Sequence, residues 1–170
     1  MEVDMDRILN QPWRVLQLML LKRLGIYQNN PSIVNIELKS PNEYVEFYRQ
    51  KLTDDYIDEL VAYNPSYFSG KNIKSVKEEM GKLRDLIQKS KDEAASKGKY
   101  FKNNELEPSM QKNWLVENCA EVWAVRDAIL QGAKIKNLVL RSVTVGTGLV
   151  KAFCNNNCRI MFEDFMNSMD

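Results

Sequence analysis

The sequence has no histidine, only three cysteines and no long hydrophobic run. Because histidine is absent, a metal held by these cysteines could gain a fourth protein ligand only from a carboxylate. No apolar segment approaches the length of about 20 residues that a membrane-spanning helix needs. Residues 1–6 are acidic where a signal peptide is basic. We therefore expect no membrane insertion and no signal peptide in this chain.

The composition is that of a globular protein with a buried core. Hydrophobic residues make up 44% and charged residues 28% of the 170 positions, and a chain of this length needs no disulfides to fold. The odd number of cysteines argues against a disulfide-built secreted scaffold. Three thiols are stable in a reducing compartment or bound to a metal, so we expect the protein to act inside a cell.

The net charge is only +1, but basic residues are concentrated in one segment. Residues 71–112 contain 11 basic and 7 acidic side chains. Such a segment would attract nucleic acid in a salt-dependent way. Lysines among glutamates are also typical of a solvated helix face, and the sequence leaves both interpretations open.

Caps, glycine stops and the spacing of apolar residues predict several helices and two strands. Proline at a first helical position and capping boxes mark helix starts, and period-two alternation or β-branched runs mark strands. Helices are predicted from Pro12 to Gly25, Pro41 to Leu52, Thr53 to Tyr63, Ser75 to Ala95, Asn118 to Leu130 and from Cys154 onward, and strands at Ser32–Leu38 and Asn137–Val145.

All three cysteines belong to one pattern that includes a glutamate. Cys119 and Glu121 stand at a predicted helix start, and Cys154 and Cys158 follow the second predicted strand. A structural zinc site is normally closed by four protein ligands, whereas a catalytic site uses three and keeps one position open. The N-termini of helices stabilise thiolates. The three cysteines therefore predict a catalytic Zn²⁺ site. Zinc deaminases combine such a site with a glutamate that is not a ligand and that moves protons, the role predicted for Glu121.

The residues around these motifs resemble a known family. The segments 118–125, 132–134 and 137–145 and the final cysteine pair resemble the YwqJ-like deaminases, which are bacterial toxin domains of the nucleic acid/nucleotide deaminase superfamily. The resemblance covers roughly residues 99–165. By this resemblance, Cys119, Cys154 and Cys158 take the zinc-ligand positions and Glu121 the proton-shuttle position.

The resemblance also implies a fold and a domain organisation. We expect an α/β catalytic core in residues 99–170, with a mixed β-sheet and helices on its faces. Residues 1–98 match no family that we can name. We expect them to form a mostly helical N-terminal part packed on that core.

The second cysteine motif departs from the family pattern of proline, cysteine, two residues and cysteine. Phe153 stands in place of the proline, and three asparagines separate Cys154 from Cys158. Either the helix begins inside the asparagine run, or the chain is a divergent member with weaker metal binding. Both cysteines are still predicted to be ligands.

Three residues beside the first motif are candidate substrate contacts, of which Asn118 and Trp123 are the predicted ones. Trp123 could stack on a base, as Trp114 could, and the amide of Asn118 could bond to a nucleotide. Core packing of the tryptophans and helix capping by Asn118 explain the same residues without a substrate. The cysteines likewise allow a structural metal site, or a redox sensor in which Cys154 and Cys158 bridge.

The function that the resemblance implies is hydrolytic deamination of cytosine to uracil in nucleic acid, with DNA favoured. The protein would be a toxin that is secreted or delivered into the cytoplasm of a target cell. Its partners would be the nucleic acid substrate and an immunity protein in the producing cell. A free nucleoside or nucleotide deaminase, or a catalytically inactive zinc-binding interaction domain, are alternatives that stay open.

Overall fold

The computed structural model of the protein describes residues 41–102, 104–112, 114–140 and 156–165. The predicted helix after Pro12 and the predicted strand at Ser32–Leu38 lie outside these ranges. Cys154, one of the predicted zinc ligands, also lies outside them.

Helices make up most of the described structure. None of the described helices has both the length and the apolar character that crossing a membrane requires. Three 3₁₀ helices lie at Val116–Asn118, Ile135–Asn137 and Glu163–Phe165. The α-helices are α1 (Pro41–Gln50), α2 (Asp54–Tyr63), α3 (Pro65–Phe68), α4 (Ile73–Ser96), α5 (Ala120–Leu130) and α6 (Asn157–Phe162).

Side-chain caps determine where α2 and α4 begin. Thr53 caps α2 as predicted, because its hydroxyl accepts a hydrogen bond from the Tyr56 N–H at 3.2 Å. The predicted cap of α4 at Ser75 is wrong. Asn72 is the cap, and its side-chain oxygen accepts a hydrogen bond from the Ser75 N–H at 3.1 Å. Asparagine caps as well as serine does, and the earlier start lets Ile73 pack against the core.

Glycines end the two longest helices, as predicted. α4 ends at Ser96, two residues before Gly98, and α5 ends at Leu130, two residues before Gly132. The φ angles of these glycines are 61° and 98°. Only glycine adopts this left-handed region at little cost, so it is the preferred residue just beyond a helix C-terminus.

The described strands form a small antiparallel hairpin. β1 (Tyr100–Phe101) pairs with β2 (Asn104–Pro108), and Tyr100 lies opposite Pro108. The described fold is therefore a mixture of helix and strand in which helix predominates. The finer prediction of a mixed sheet with helices on its faces stays a prediction.

The predicted strand at Asn137–Val145 does not begin where the sequence indicated. Asn137 ends the 3₁₀ helix Ile135–Asn137, and Leu138 and Val139 have no regular secondary structure. The turn forms because the Asn137 N–H donates to the Lys134 carbonyl at 2.9 Å. Residues 141–145 lie outside the described ranges.

One hydrophobic core joins the described helices on both sides of residue 98. Leu60 of α2 and Leu83 of α4 belong to the same buried cluster as Val122 of α5 and Phe162 of α6. Helix α4 contacts α2, α5 and α6 and is therefore the central element of this core. Residues 41–98 thus pack against the later part of the chain, whereas the predicted domain boundary itself stays a prediction.

A buried cluster of charges connects α4 to the hairpin and to the segment before α5. The Lys91 ammonium forms ion pairs with Glu107, at 3.0 Å, and with Glu117. Arg49 of α1 also binds Glu107, at 3.0 Å, and lies 3.5 Å from Glu117. Each buried carboxylate therefore has two cations near it, which offsets the cost of removing it from water.

A third buried carboxylate, Glu79, fixes the 3₁₀ helix that follows α5. Glu79 of α4 accepts hydrogen bonds from the Ile135 N–H at 2.8 Å and from the Lys82 ammonium at 2.6 Å. Burial raises the pKa of Glu79, but these hydrogen bonds outweigh it and hold that pKa below its ordinary value. The charged form of Glu79 is therefore the one that the fold stabilises.

We expect Lys91→Met to lower the free energy of unfolding by about 3 kcal/mol, because it leaves two buried carboxylates with Arg49 as their remaining cation. Urea unfolding of the purified variant measures this loss. Lys89→Met removes an exposed lysine of the same helix and should change the stability by less than about 0.5 kcal/mol. Equal midpoints for the two variants would show that the buried cluster is not needed.

We expect the stability contributed by Glu79 to depend on pH in the acid range. Because the folded pKa is lowered, this contribution is present in full above the ordinary glutamate value of about 4.3 and is lost as the pH falls through the folded pKa. Urea unfolding of wild type and Glu79→Gln between pH 7 and pH 3 measures the difference. A difference that stays constant over this range would contradict the assignment.

Candidate functional site

The first half of the predicted site is the N-terminus of α5. Cys119 is the N-cap of this helix, with φ −65° and ψ 136°, and it is 3% exposed. Asn118, the predicted cap, instead ends the 3₁₀ helix Val116–Asn118, because the Cys119 N–H donates to the Val116 carbonyl at 3.1 Å. Glu121 lies in the first turn of α5, as predicted.

The second half of the site is the N-terminus of α6. The helix begins at Asn157, after the cap residue Asn156, so it starts inside the asparagine run. This is one of the two explanations offered for the wide cysteine spacing. Cys158 lies in the first turn and is 1% exposed.

A direct contact joins the two halves. The Cys158 thiol donates to the Glu121 carboxylate oxygen Oε2, with a sulfur–oxygen distance of 3.0 Å. Cys119 and Cys158 also belong to the same buried cluster. The fold therefore brings a predicted ligand and the predicted proton shuttle together, although 37 positions separate them in the sequence.

The donor chemistry around this contact fits zinc. Thiolates are soft ligands that zinc prefers, and the start of an α-helix stabilises a thiolate through its free N–H groups. Within the described ranges, no group of three or more cysteine, aspartate, glutamate or histidine side chains is arranged to hold a metal ion. Cys154, the third predicted ligand, is not among the described residues, so the described part contains Cys119 and Cys158 of the predicted set.

A buried amide fixes the position of Cys158. The side chain of Asn157 is fully buried, and its Nδ2 donates to the Ser109 hydroxyl at 3.0 Å. Its Oδ1 accepts a hydrogen bond from the Met110 N–H at 2.9 Å and a longer one, 3.5 Å, from the Ser90 hydroxyl. The start of α6 is thereby attached to α4 and to the segment after β2, one residue before the cysteine.

The segment before Cys119 is also held by polar contacts. Glu117 is bound by Lys91 in the buried charge cluster. The Trp114 indole N–H donates to the Asn118 carbonyl at 3.0 Å. These contacts fix the 3₁₀ turn that leads into the helix, so both halves of the site are positioned by buried polar groups.

The candidate substrate contacts Asn118 and Trp123 lie close to the cysteine motif. The side-chain oxygen of Asn118 and the indole Nε1 of Trp123 are buried and have no hydrogen-bond partner among the described residues. The Trp123 ring contacts the Tyr48 ring, with centroids 5.7 Å apart. Ring packing explains where Trp123 lies but leaves its N–H unpaired within the described structure, and its role in substrate binding stays a prediction.

Much of the basic segment 71–112 is paired with carboxylates. Lys77 bonds to Asp58 at 2.7 Å, and Arg84 bonds to Asp54 at 2.9 Å. Further pairs, Lys74–Glu78, Lys82–Glu79, Lys91–Glu107 and Lys97–Glu93, lie along α4 or beside it. These pairs favour the interpretation of this segment as a solvated, ion-paired helix over that of a nucleic-acid surface.

Sequence reasoning missed Asn157 and Glu117. Asn157 stands between two cysteines and suggests part of a spacer. Glu117 stands two residues before a cysteine and suggests a surface charge. Both side chains are buried, and each is paired with a residue of another element that is far away in the sequence. No local pattern in this one sequence identifies either of them.

We expect Asn157→Ala to lower the free energy of unfolding by about 2 kcal/mol, because the Ser109 hydroxyl and the Met110 N–H lose their buried partner. Urea unfolding measures this. The matched control is Asn156→Ala, since the neighbouring asparagine makes no side-chain capping bond. If both variants unfold at the same urea concentration, the buried amide does not hold α6.

Comparisons with known proteins give no further assignment. No family model, no curated protein and no solved structure matches this chain. The interpretation of the site therefore rests on the contacts described above and on the residues that carry the resemblance.

Proposed function

We propose that the protein is a zinc-dependent hydrolytic deaminase that converts cytosine to uracil in nucleic acid. The observation that supports this most directly is the 3.0 Å contact between Glu121 Oε2 and Cys158 Sγ. A carboxylate beside a cysteine ligand is the pairing that the deaminase mechanism uses. In this chain the pairing arises from two separate helix starts.

The residues that would hold the metal are Cys119, Cys154 and Cys158. When bound, the metal supplies Lewis-acid activation of a water molecule. The burial of Cys119 and Cys158 keeps bulk solvent away from their sulfurs. Cys119 is the N-cap residue of α5 and Cys158 lies in the first turn of α6, so both cysteines stand at helix N-termini.

Glu121 carries out the proton transfers in this proposal. Its carboxylate takes one proton from the attacking water and passes it to the pyrimidine ring nitrogen. It then takes the remaining proton of the added hydroxyl and passes it to the departing amine. A C–O bond forms at the ring carbon, the exocyclic C–N bond breaks, and ammonia leaves without any change of oxidation state. Glu121 is only partly buried, so a substrate base can approach it, unlike the sulfurs of Cys119 and Cys158.

The biological setting of the proposal comes from the resemblance. As a toxin domain, the protein would act in the cytoplasm of a target cell, and an immunity protein would protect the producer. DNA is the favoured substrate, and RNA and free cytidine belong in the same test.

We expect Glu121→Gln to lower the rate of base conversion at least about 100-fold, because it removes the group that moves protons. The assay uses the full chain with single-stranded DNA, double-stranded DNA, RNA and free cytidine, and detects uracil or uridine. The control, Glu105→Gln, removes an exposed carboxylate of the hairpin and should retain wild-type turnover. Zinc content is measured in the same preparations.

The outcomes separate the candidate functions. Conversion of a polymer by wild type and Glu105→Gln supports the proposal, and conversion of cytidine alone indicates a nucleoside deaminase. Bound zinc without turnover on any substrate indicates a zinc-binding interaction domain. Wild-type protein that contains no zinc and has no activity would refute the proposed mechanism.

A further inference from the structure

Two positively charged residues are buried and have no carboxylate within ion-pair distance among the described residues. Lys51 is 8% exposed and Arg126 is 4% exposed. Among the ion pairs of the described ranges, none includes either residue. Lysine and arginine bury their apolar stems more readily than their charged ends. The two residues therefore differ from the ion-paired lysines of α4.

Both cations lie against the same aromatic ring. The Lys51 ammonium is 4.2 Å and the Arg126 guanidinium carbon is 5.6 Å from the centroid of Tyr56. Lys51 also lies 5.4 Å from the Phe47 ring, and Arg126 lies 5.1 Å from the Trp123 ring. Aromatic faces attract cations but carry no net charge. They hold both charges beside Tyr56 without neutralising them.

The guanidinium of Arg126 has unused donors. Its Nε donates to the Lys51 carbonyl at 2.8 Å, which uses one of five N–H donors. Within the described structure, neither terminal nitrogen makes a further hydrogen bond. Burial lowers the pKa of Arg126 more than the charges of Tyr56, Asp127 and Tyr67 raise it. Asp127, the next residue in the sequence, accepts a hydrogen bond from the Gln131 amide at 2.9 Å.

A third donor belongs to the same group of residues. The indole Nε1 of Trp123 is buried and finds no acceptor among the described residues, and its ring is the one that Arg126 contacts. The cluster therefore offers an ammonium, a guanidinium and an indole N–H, and the side chains that the structure describes provide no acceptor for them. A tetrahedral oxyanion complements this set, because its several oxygens can accept from donors on different sides.

We infer that Lys51, Arg126 and Trp123 form a binding site for a phosphate group. Free phosphate carries nearly two negative charges at neutral pH and a phosphodiester carries one, and a guanidinium can bind two oxygens of either at once. Helix α5 carries both Arg126 and Glu121. If the proposed function holds, this site binds a phosphate of the nucleic acid that presents its base to Glu121. Phosphate binding itself does not require that function.

The test is isothermal titration of the full chain with inorganic phosphate and with a short single-stranded oligonucleotide, at constant ionic strength. Wild type should bind phosphate in a saturable way, and Lys51→Met and Arg126→Met should each weaken binding about tenfold or more. Lys89→Met removes an exposed lysine and should bind as wild type does. Glu121→Gln should also retain phosphate binding, even where it abolishes turnover.

Thermal unfolding in buffer without phosphate shows whether the variants fold. Lys51→Met should melt near the wild-type temperature, because no ion pair of the described residues is lost and an apolar stem stays beside the Tyr56 ring. A much lower melting temperature would mean that an internal anion already compensates Lys51, and would overturn the inference. Absence of phosphate binding by wild type, or equal binding by Lys51→Met, would overturn it as well. In either case the deaminase proposal is tested separately, by the base-conversion assay of Glu121→Gln.

Discussion

Two adjacent polar side chains in the last third of α4 contact the two halves of the candidate site. Ser90 contacts Asn157, which precedes Cys158, and Lys91 binds Glu117, which lies two residues before Cys119. A buried polar group needs a hydrogen-bond partner. Without one, the loss of folding free energy is as large as the gain from many apolar contacts. These contacts restrict where the starts of α5 and α6 can lie relative to α4.

Apolar packing alone would not place the site so narrowly. The core that joins α2, α4, α5 and α6 is built from contacts without directional preference, and such a core tolerates small shifts of its helices. The hydrogen bonds of Asn157 and the ion pairs of Glu117 are directional and short-ranged. They convert a general association of helices into a defined approach of Cys158 to Glu121.

The distribution of charge separates two parts of the protein. Six of the eleven cations in the lysine-rich segment are paired with carboxylates, which weakens the electric field of this segment. Lys51 and Arg126 are buried, and neither has a carboxylate partner in the described structure. Electrostatic recognition of a phosphate-bearing ligand is therefore expected at these two residues and not along the lysine run.

The sequence by itself determined the helix starts at Thr53 and near Cys119, the glycine stops, and the type of donor atoms at the site, because these depend on neighbouring residues. It placed the cap of α4 at Ser75 although Asn72 is the cap, since serine and asparagine cap helices about equally well. It also began the strand after α5 at Asn137, which ends a 3₁₀ helix. Only the tertiary structure decided that Asn157, Glu117, Lys51 and Arg126 are buried and that Cys158 meets Glu121. Those facts depend on partners tens of residues away, and no local pattern in a single sequence encodes such partners.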